Sequence, residues 1–339
     1  MRKSLAVCCR AVFLAFIFSA VLSGAPPEAT PLRLVQTIPL PNVKGRIDHF
    51  NVDLAGRRLF ISALGNHTVE VVDLKTGKWV RSISGVRKPQ GVWYGLGKLF
   101  IADGAAGDVK VYRGSDLRLV ATIPLDLGPD HETYDPATNR LYVGYGGEDA
   151  HKSYGELGII DVAADKHIGD IRADSHPGAI LVAQPGRTIF TALGKTQQVN
   201  EINARTDRIV SKWQARAGDP VALALDKATH RLFVGTRNPP ELEVFDSRSH
   251  KWIASLPSVG LMDGLWYDAA RRRIYVSGGE GYVAVYQQID ANHYKEIAKV
   301  PTGPIARTSL FVPALNRFYV AVPAGEHSGA EIQVFEPQP

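Results

Sequence analysis

Short stretches of alternating apolar and polar residues recur along the whole chain. In the clearest stretch, a basic or polar residue is followed by an apolar residue, an aromatic residue, one further residue and a small residue. Its aromatic positions lie 40, 42, 48, 43, 42 and 44 residues apart. A period near forty built from short strands is typical of four-stranded propeller blades. The seven copies begin at Arg58, Lys98, Arg140, Thr188, Arg231, Arg273 and Arg317.

The residues around each copy predict the other strands of a blade. In the first copy, residues 47–52 are predicted as the innermost strand, 57–63 as the second, 69–73 as the third and 79–83 as the outer strand. The third segment, Val69-Glu-Val-Val-Asp73, has the period of two of a half-buried strand. The sequence therefore predicts an all-β fold, a seven-bladed β-propeller of four-stranded blades, in one domain over residues 32–336.

The seventh copy ends after its third strand, near Phe335. The segment Arg33-Leu-Val-Gln-Thr-Ile38 resembles the outer strand of blade two, Leu119-Val-Ala-Thr-Ile123. We expect this N-terminal strand to become the outer strand of the last blade, because an open ring would leave two unpaired sheet edges.

Four hairpins between the first and second strands carry an Asp followed five residues later by an Arg. We expect the Asp to cap the turn and to pair with the Arg across it. The alternative is a basic ring that docks on an anionic lipid surface or a partner. The four pairs are Asp53–Arg58, Asp135–Arg140, Asp226–Arg231 and Asp268–Arg273.

Residues 1–25 have the pattern of a secretory signal peptide. Basic residues precede an apolar run, Ala11 to Leu22, which is followed by small residues. This run is shorter than the roughly 20 residues needed to span a bilayer, although an uncleaved anchor is an alternative. We therefore expect a periplasmic or secreted protein without a membrane span in its mature chain.

Removal of the leader changes the composition that bears on function. Both cysteines, Cys8 and Cys9, lie in it, so the mature chain would have no disulfide, no thiol nucleophile and no covalently attached haem. After the leader, 36 basic and 34 acidic residues remain, a net charge of +2. This near-neutral balance gives no reason to expect nucleic-acid binding. We expect a monomer.

The repeats resemble a known family. Segments such as Ile47-Asp-His49, Pro89-Gln-Gly91, His176-Pro-Gly178 and Ile274-Tyr-Val-Ser-Gly-Gly-Glu-Gly281 are similar to those of YVTN-repeat seven-bladed β-propellers, of the YncE-like bacterial secreted type. The resemblance extends over all seven blades and implies the propeller fold. It implies no reaction, because such propellers mostly have no assigned one. Blade three differs, with Asp130-His-Glu132 where an Asp-Asn pair is usual.

Polar residues collect where the innermost strands begin. These strands converge on the mouth of the central channel, where propellers usually bind ligands. The side chains could instead cap loops and join neighbouring blades. The candidate ligand-binding residues at the mouth are Asp48, His49, Gln90, Asp130, His131, Glu132, His176, Asp219, Asp263 and Arg307.

Histidines and carboxylates at one mouth suit a divalent metal or a general acid–base pair. The metal candidates are His49, His131 and Asp263, while the cofactor and any catalytic residue stay unassigned. The chain contains no HExxH motif, phosphate loop or GxSxG elbow. An insertion in blade three, residues 146–155, is predicted to be a lid or a partner contact.

Three function classes follow. The first is an exported binding or scaffold propeller whose channel mouth binds a small-molecule ligand or a protein partner. The second is a metal-assisted lactone hydrolase or lyase. The third is an electron-transfer partner with a non-covalent redox cofactor. The sequence leaves open whether the protein is an enzyme.

Overall fold

The computed structural model describes residues 30–339, and in this part the chain forms 28 β-strands and two 3-10 helices of three residues each. The predicted leader, residues 1–25, lies outside the described residues. No helix between residues 30 and 339 is long and apolar enough to cross a membrane. The 3-10 helices are Leu64–Asn66 and Pro313–Leu315.

The strands form seven separate four-stranded antiparallel sheets, which confirms the predicted blades. In the first four blades the chain runs from the innermost strand outward. Blade one consists of β2 (Phe50–Asp53), β3 (Arg58–Ala63), β4 (Thr68–Asp73) and β5 (Lys78–Ile83), and blade two of β6 (Pro89–Gly95), β7 (Lys98–Asp103), β8 (Asp108–Arg113) and β9 (Leu119–Pro124). Blade three consists of β10 (Glu132–Asp135), β11 (Arg140–Gly146), β12 (Gly155–Asp161) and β13 (Lys166–Ala173), and blade four of β14 (Ala179–Gln184), β15 (Thr188–Leu193), β16 (Gln198–Asn203) and β17 (Arg208–Gln214).

The last three blades follow the same order, except that the outer strand of blade seven comes from the N-terminal end of the described chain. Blade five consists of β18 (Gly218–Asp226), β19 (Arg231–Asn238), β20 (Pro240–Asp246) and β21 (Trp252–Pro257). Blade six consists of β22 (Met262–Asp268), β23 (Arg273–Gly278), β24 (Tyr282–Gln288) and β25 (Tyr294–Pro301), and blade seven of β26 (Ser309–Val312), β27 (Arg317–Val322), β28 (Ala330–Pro337) and β1 (Leu32–Leu40).

The ring is closed. Innermost strands of neighbouring blades contact one another all the way round, including β26 of blade seven with β2 of blade one. Strand β1 pairs antiparallel with β28, from Leu32 opposite Pro337 to Leu40 opposite Ala330. The predicted closure by the N-terminal strand is therefore confirmed.

The repeated aromatic residue is the centre of each contact between blades. All seven of these residues are at most 3% exposed. Phe60 of blade one shares a buried cluster with Val92 and Leu99 of blade two. At the seam, Tyr319 of blade seven lies in a cluster with Leu59 of blade one. The forty-residue period thus reflects seven equivalent interfaces, each of which buries one large side chain.

Three of the four predicted Asp–Arg pairs do not form, and this prediction is wrong for those hairpins. Only Arg58 pairs across its turn, with 2.6 Å between Nη2 and Asp53 Oδ2. The other carboxylates do cap their turns: the Ala137 amide, for example, donates to Asp135 Oδ1 at 3.0 Å. The pairs observed instead are Arg140–Asp207 at 3.0 Å, Arg231–Asp246 at 2.7 Å and, within the fourth hairpin itself, Arg271–Asp268 at 3.0 Å.

The basic residues of the repeat mostly reach into the next blade. Arg140 of blade three pairs with Asp207 in a turn of blade four. Lys98 of blade two pairs with Asp165 of blade three at 2.7 Å. Arg58 donates to the Gly114 carbonyl of blade two at 2.7 Å. These side chains join blades, so the hairpin face is not a ring of free cations.

Candidate functional site

A cavity of about 490 Å³ lies at the mouth of the central channel, where the loops lead into the innermost strands. It is lined by one predicted residue from each blade. These residues are His49, Gln90, Asp130, His176, Asp219, Asp263 and Arg307. The insertion of blade three also lines the mouth, through residues 146–149, 152 and 153.

Three predicted mouth residues lie elsewhere. Asp48 is completely buried and does not line the cavity, although its carboxylate is next to Arg46 and His49, which do. His131 and Glu132 line the channel below the mouth, a second cavity of about 620 Å³ whose walls are the innermost strands of all seven blades. His49 and Asp263 line both cavities and so mark the boundary between them.

One side of the mouth is formed by an aspartate between two histidines. Asp130 lies 3.8 Å from His49 Nε2 and 3.6 Å from His176 Nε2. The other ring nitrogen of His176 lies 3.3 Å from the Gly146 carbonyl oxygen, which ties it to the insertion. Although burial opposes ionisation, the neighbouring imidazoles of His176 and His49 lower the pKa of Asp130. Burial likewise opposes protonation of His176, but Asp130 outweighs it and raises the pKa of His176.

The other side of the mouth is formed by three arginines around Asp263. Arg237 Nη2 lies 2.9 Å from Asp263 Oδ1, and Arg307 Nε lies 3.0 Å from Oδ2. Arg46 Nη2 lies 3.6 Å from the same Oδ2 and 3.0 Å from Asp48 Oδ2. Burial and repulsion from the other two arginines lower the pKa of Arg307, despite the attraction of Asp263.

Arg46 and Arg237 were not among the predicted site residues. Arg46 lies two residues before Asp48, in the link between β1 and β2, and Arg237 lies near the end of β19. The candidates came from the starts of innermost strands. The ends of second strands reach the same face, since the two strands are antiparallel. A search of those ends would have found Arg237.

Asp48 is a buried acid under this mouth. Burial raises its pKa to about 6, even though His49 and Arg46 favour the ionised form. Its Oδ1 lies 3.7 Å from His49 Nε2. The carboxyl therefore changes charge near neutral pH, directly beneath the cavity.

Three titratable side chains line the upper channel: His49, His131 and Glu132. The rings of His49 and His131 meet edge to face, with centroids 5.0 Å apart. Burial and the neighbouring His49 lower the pKa of His131 to about 3. Burial, and then the charge of Asp130, raise the pKa of Glu132 well above its ordinary value. His131 is therefore neutral at pH 7.

The three candidate metal ligands, His49, His131 and Asp263, are not arranged to bind one metal ion together. Asp263 Oδ1 and Oδ2 already face guanidinium groups, and His131 packs against His49 by its ring. Between residues 30 and 339, no three His, Cys, Asp or Glu side chains are grouped so that they could hold a metal. A cation at Asp263 would lie against three positive charges.

Ion pairs fasten the insertion over the rim of the mouth. Lys88 of blade two pairs with Asp149 at 3.0 Å, and Lys152 pairs with Asp126 at 2.6 Å. Lys195 of blade four pairs with Glu148. The insertion is thus linked to both neighbouring blades beside the cavity.

Comparison with known proteins identifies the fold and nothing finer. No family model matches the chain, and no curated protein matches it. A chain of Kuenenia stuttgartiensis hydrazine synthase is 16% identical, with a TM-score of 0.71, over 83% of this chain and 94% of that one. A chain of a mitotic checkpoint complex is 12% identical, with a TM-score of 0.73, over 96% of this chain and 98% of that one. The protein is a seven-bladed β-propeller.

Proposed function

We propose that this protein is a binding propeller whose channel mouth holds one small polar ligand. The observation that carries the proposal is the single cavity of about 490 Å³ to which all seven blades contribute a predicted polar residue. Small-molecule sites have volumes of roughly 300–1,000 Å³. The polar groups are recessed: the side chains of Asp263 and Arg307 are only 10% and 18% exposed. A small molecule reaches such groups more readily than the flat surface of a protein partner does.

We also propose that the protein is exported and related to the YncE-like propellers with YVTN repeats. The leader pattern supports export, and the repeat segments at Ile47, Pro89 and Ile274 support the relationship. The metal-assisted hydrolase or lyase is a weaker alternative, because its candidate ligand Asp263 is surrounded by arginines.

The proposal is tested with two variants on opposite sides of the mouth, Asp130→Asn and Arg307→Gln. Glu296→Gln, on the outer strand β25, is the control for a lost charge. Thermal unfolding is measured with a panel of small carboxylates, phosphates, amines, sugars and nucleosides. A compound at 100 times its Kd stabilises the folded protein by about 2.7 kcal/mol.

At least one class should stabilise the wild type and the control, and this stabilisation should be reduced in one or both mouth variants. Isothermal titration then gives the affinity and stoichiometry of the stabilising compounds. The proposal fails if no class stabilises the wild type, or if both mouth variants respond as the wild type does.

A further inference from the structure

The arginine side of the mouth has more hydrogen-bond donors than the protein uses. Arg237 donates to the Met262 carbonyl and to Asp263. Arg46 and Arg307 approach carboxylates as ion pairs. The buried Nε atoms of both form no well-aligned hydrogen bond among the described residues, although Arg307 Nε lies 3.0 Å from Asp263 Oδ2. Each guanidinium carries five N–H donors. Most of the donors in this cluster therefore have no acceptor within residues 30–339.

Positive charge is also in excess on the arginine side of the mouth. The three guanidinium groups have two carboxylates within ion-pair distance, Asp263 and Asp48. Asp48 is completely buried and loses its charge near pH 6. At least one positive charge therefore has no carboxylate of its own within ion-pair distance, in a recess where water screens it incompletely.

We propose that Arg46, Arg237 and Arg307 bind an oxyanion, a carboxylate or phosphate group, on the ligand that the proposed function assigns to the mouth. All three residues line the cavity. The planar fork of a guanidinium matches two oxygens of such a group, and several arginines can share it. The inference rests on the proposed function and specifies the chemistry of its ligand.

Arg307 is the most suitable residue to change. Its backbone carbonyl accepts bonds from the Gly264 amide and the Ser277 hydroxyl, and a side-chain substitution leaves these in place. Asp263 keeps Arg237 as its partner. Arg307→Gln removes the charge, and Arg307→Lys keeps the charge but removes the fork. Arg81→Gln is the matched control, because Arg81 is exposed on the outer strand β5.

The probes are malonate, inorganic phosphate and sulfate, with glucose and ethanolamine as the neutral and cationic comparisons. Isothermal titration at low ionic strength should show saturable binding of at least one oxyanion by the wild type and by Arg81→Gln. Arg307→Gln should bind it at least about tenfold more weakly, as expected for loss of a hydrogen bond to a charged group. Arg307→Lys should recover only part of the affinity. A preference for malonate over phosphate would indicate a carboxylate ligand, and the reverse a phosphorylated one.

Two results would overturn the inference. One is the absence of saturable oxyanion binding by the wild type, and the other is unchanged affinity in Arg307→Gln when its unliganded melting temperature is normal. If oxyanions fail but an amine or sugar binds and is lost in Asp130→Asn, the proposed function stands and only the oxyanion assignment is wrong. If no compound of either panel binds, both are wrong.

Discussion

Two aspartates near the mouth have pKa values displaced in opposite directions. Asp48 is fully buried, so its pKa is raised to about 6. Burial opposes ionisation of Asp130 as well, but the neighbouring imidazoles of His176 and His49 lower its pKa. Their partners differ: Asp130 has His49 and His176 within 4 Å, whereas Asp48 shares His49 with Asp130 and shares Arg46 with Asp263.

The raised pKa of Asp48 predicts a pH-dependent loss of stability. Its ordinary value is 3.8, so between about pH 4 and pH 6 the folded protein binds a proton that the unfolded chain has released. The stabilisation of the folded protein by this proton is complete below pH 4 and is lost as the pH rises through 6. A shift of this size corresponds to about 3 kcal/mol. Denaturant unfolding between pH 4 and pH 8 should show this loss in the wild type and a much smaller one in Asp48→Asn.

The lowered pKa of Asp130 predicts a pH dependence of stability opposite to that of Asp48, and the variant Asp130→Asn tests it. The lowered pKa of Asp130 stabilises the folded protein above pH 4, and that stabilisation is lost as the pH falls through the folded-state value. Asp130→Asn should therefore be less stable than the wild type at pH 7. If Asp48→Asn loses as much stability as the wild type between pH 4 and pH 8, burial does not raise the pKa of Asp48 as inferred.

At this scale the sequence predicted the residues around the cavity better than their contacts. The starts of the innermost strands include one residue from each blade that lines the cavity, and whether these residues bind a ligand stays a prediction. They also placed His131 and Glu132 at the mouth, because a one-dimensional pattern does not show how far a strand descends into the channel. The partners of Asp263 were missed, since Arg237 is 26 residues away along the chain and contacts it only through the fold.

Among the strands, the basic residue of each repeat joins blades more often than it closes a hairpin. Asp135 is saturated by turn donors and by the Gly186 amide of blade four, at 2.8 Å from Oδ2. Arg140 therefore reaches Asp207 of that blade. A repeat pattern identifies the residue but not which blade holds its partner, so this error could not have been avoided from spacing alone.

A double-mutant cycle distinguishes the two arrangements. Arg140→Ala and Asp207→Ala should show a coupling energy of up to about 1 kcal/mol, because the ion pair is partly exposed. Arg140→Ala and Asp135→Ala should be nearly additive, since these two side chains have different partners. Denaturant unfolding of the single and double variants measures both values. Strong coupling to Asp135 together with none to Asp207 would restore the hairpin pairing.

Closure of the ring predicts unequal effects along a single strand. In β1, Ile38 is 1% exposed and packs in the cluster at the seam, whereas Leu34 is 49% exposed. Ile38→Ala should lower the free energy of unfolding by about 2–5 kcal/mol, and Leu34→Ala should change it by less than about 0.5 kcal/mol. Deletion of residues 26–40 should lower the thermal midpoint sharply. An unchanged midpoint in the deletion variant would mean that β1 does not hold the ring closed.

For the whole molecule, the fold was predictable because one physical requirement is repeated seven times. Each interface buries an aromatic residue, and this requirement leaves a visible period. The site has no such repetition: the polar residue is a histidine, a glutamine, an aspartate or an arginine, depending on the blade, and only closure brings the first and last blades together. Arg46 lies in the link from β1 to β2, and Arg307 precedes β26, so closure of the ring sets their positions around Asp263.

This arrangement predicts that the mouth binds oxyanions more tightly in acid. At pH 5, Asp48 is mainly protonated and no longer offsets Arg46, and His176, whose pKa is raised, carries a positive charge. Sulfate is the suitable probe because it stays fully ionised from pH 5 to pH 8. Its affinity, measured by isothermal titration, should be about tenfold higher at pH 5, equivalent to a pKa change of one unit on binding. Asp48→Asn should show a smaller increase, since it lacks the titrating carboxyl. Equal affinity at the two pH values, or weaker binding in acid, would show that Asp48 and His176 do not control the charge of the mouth.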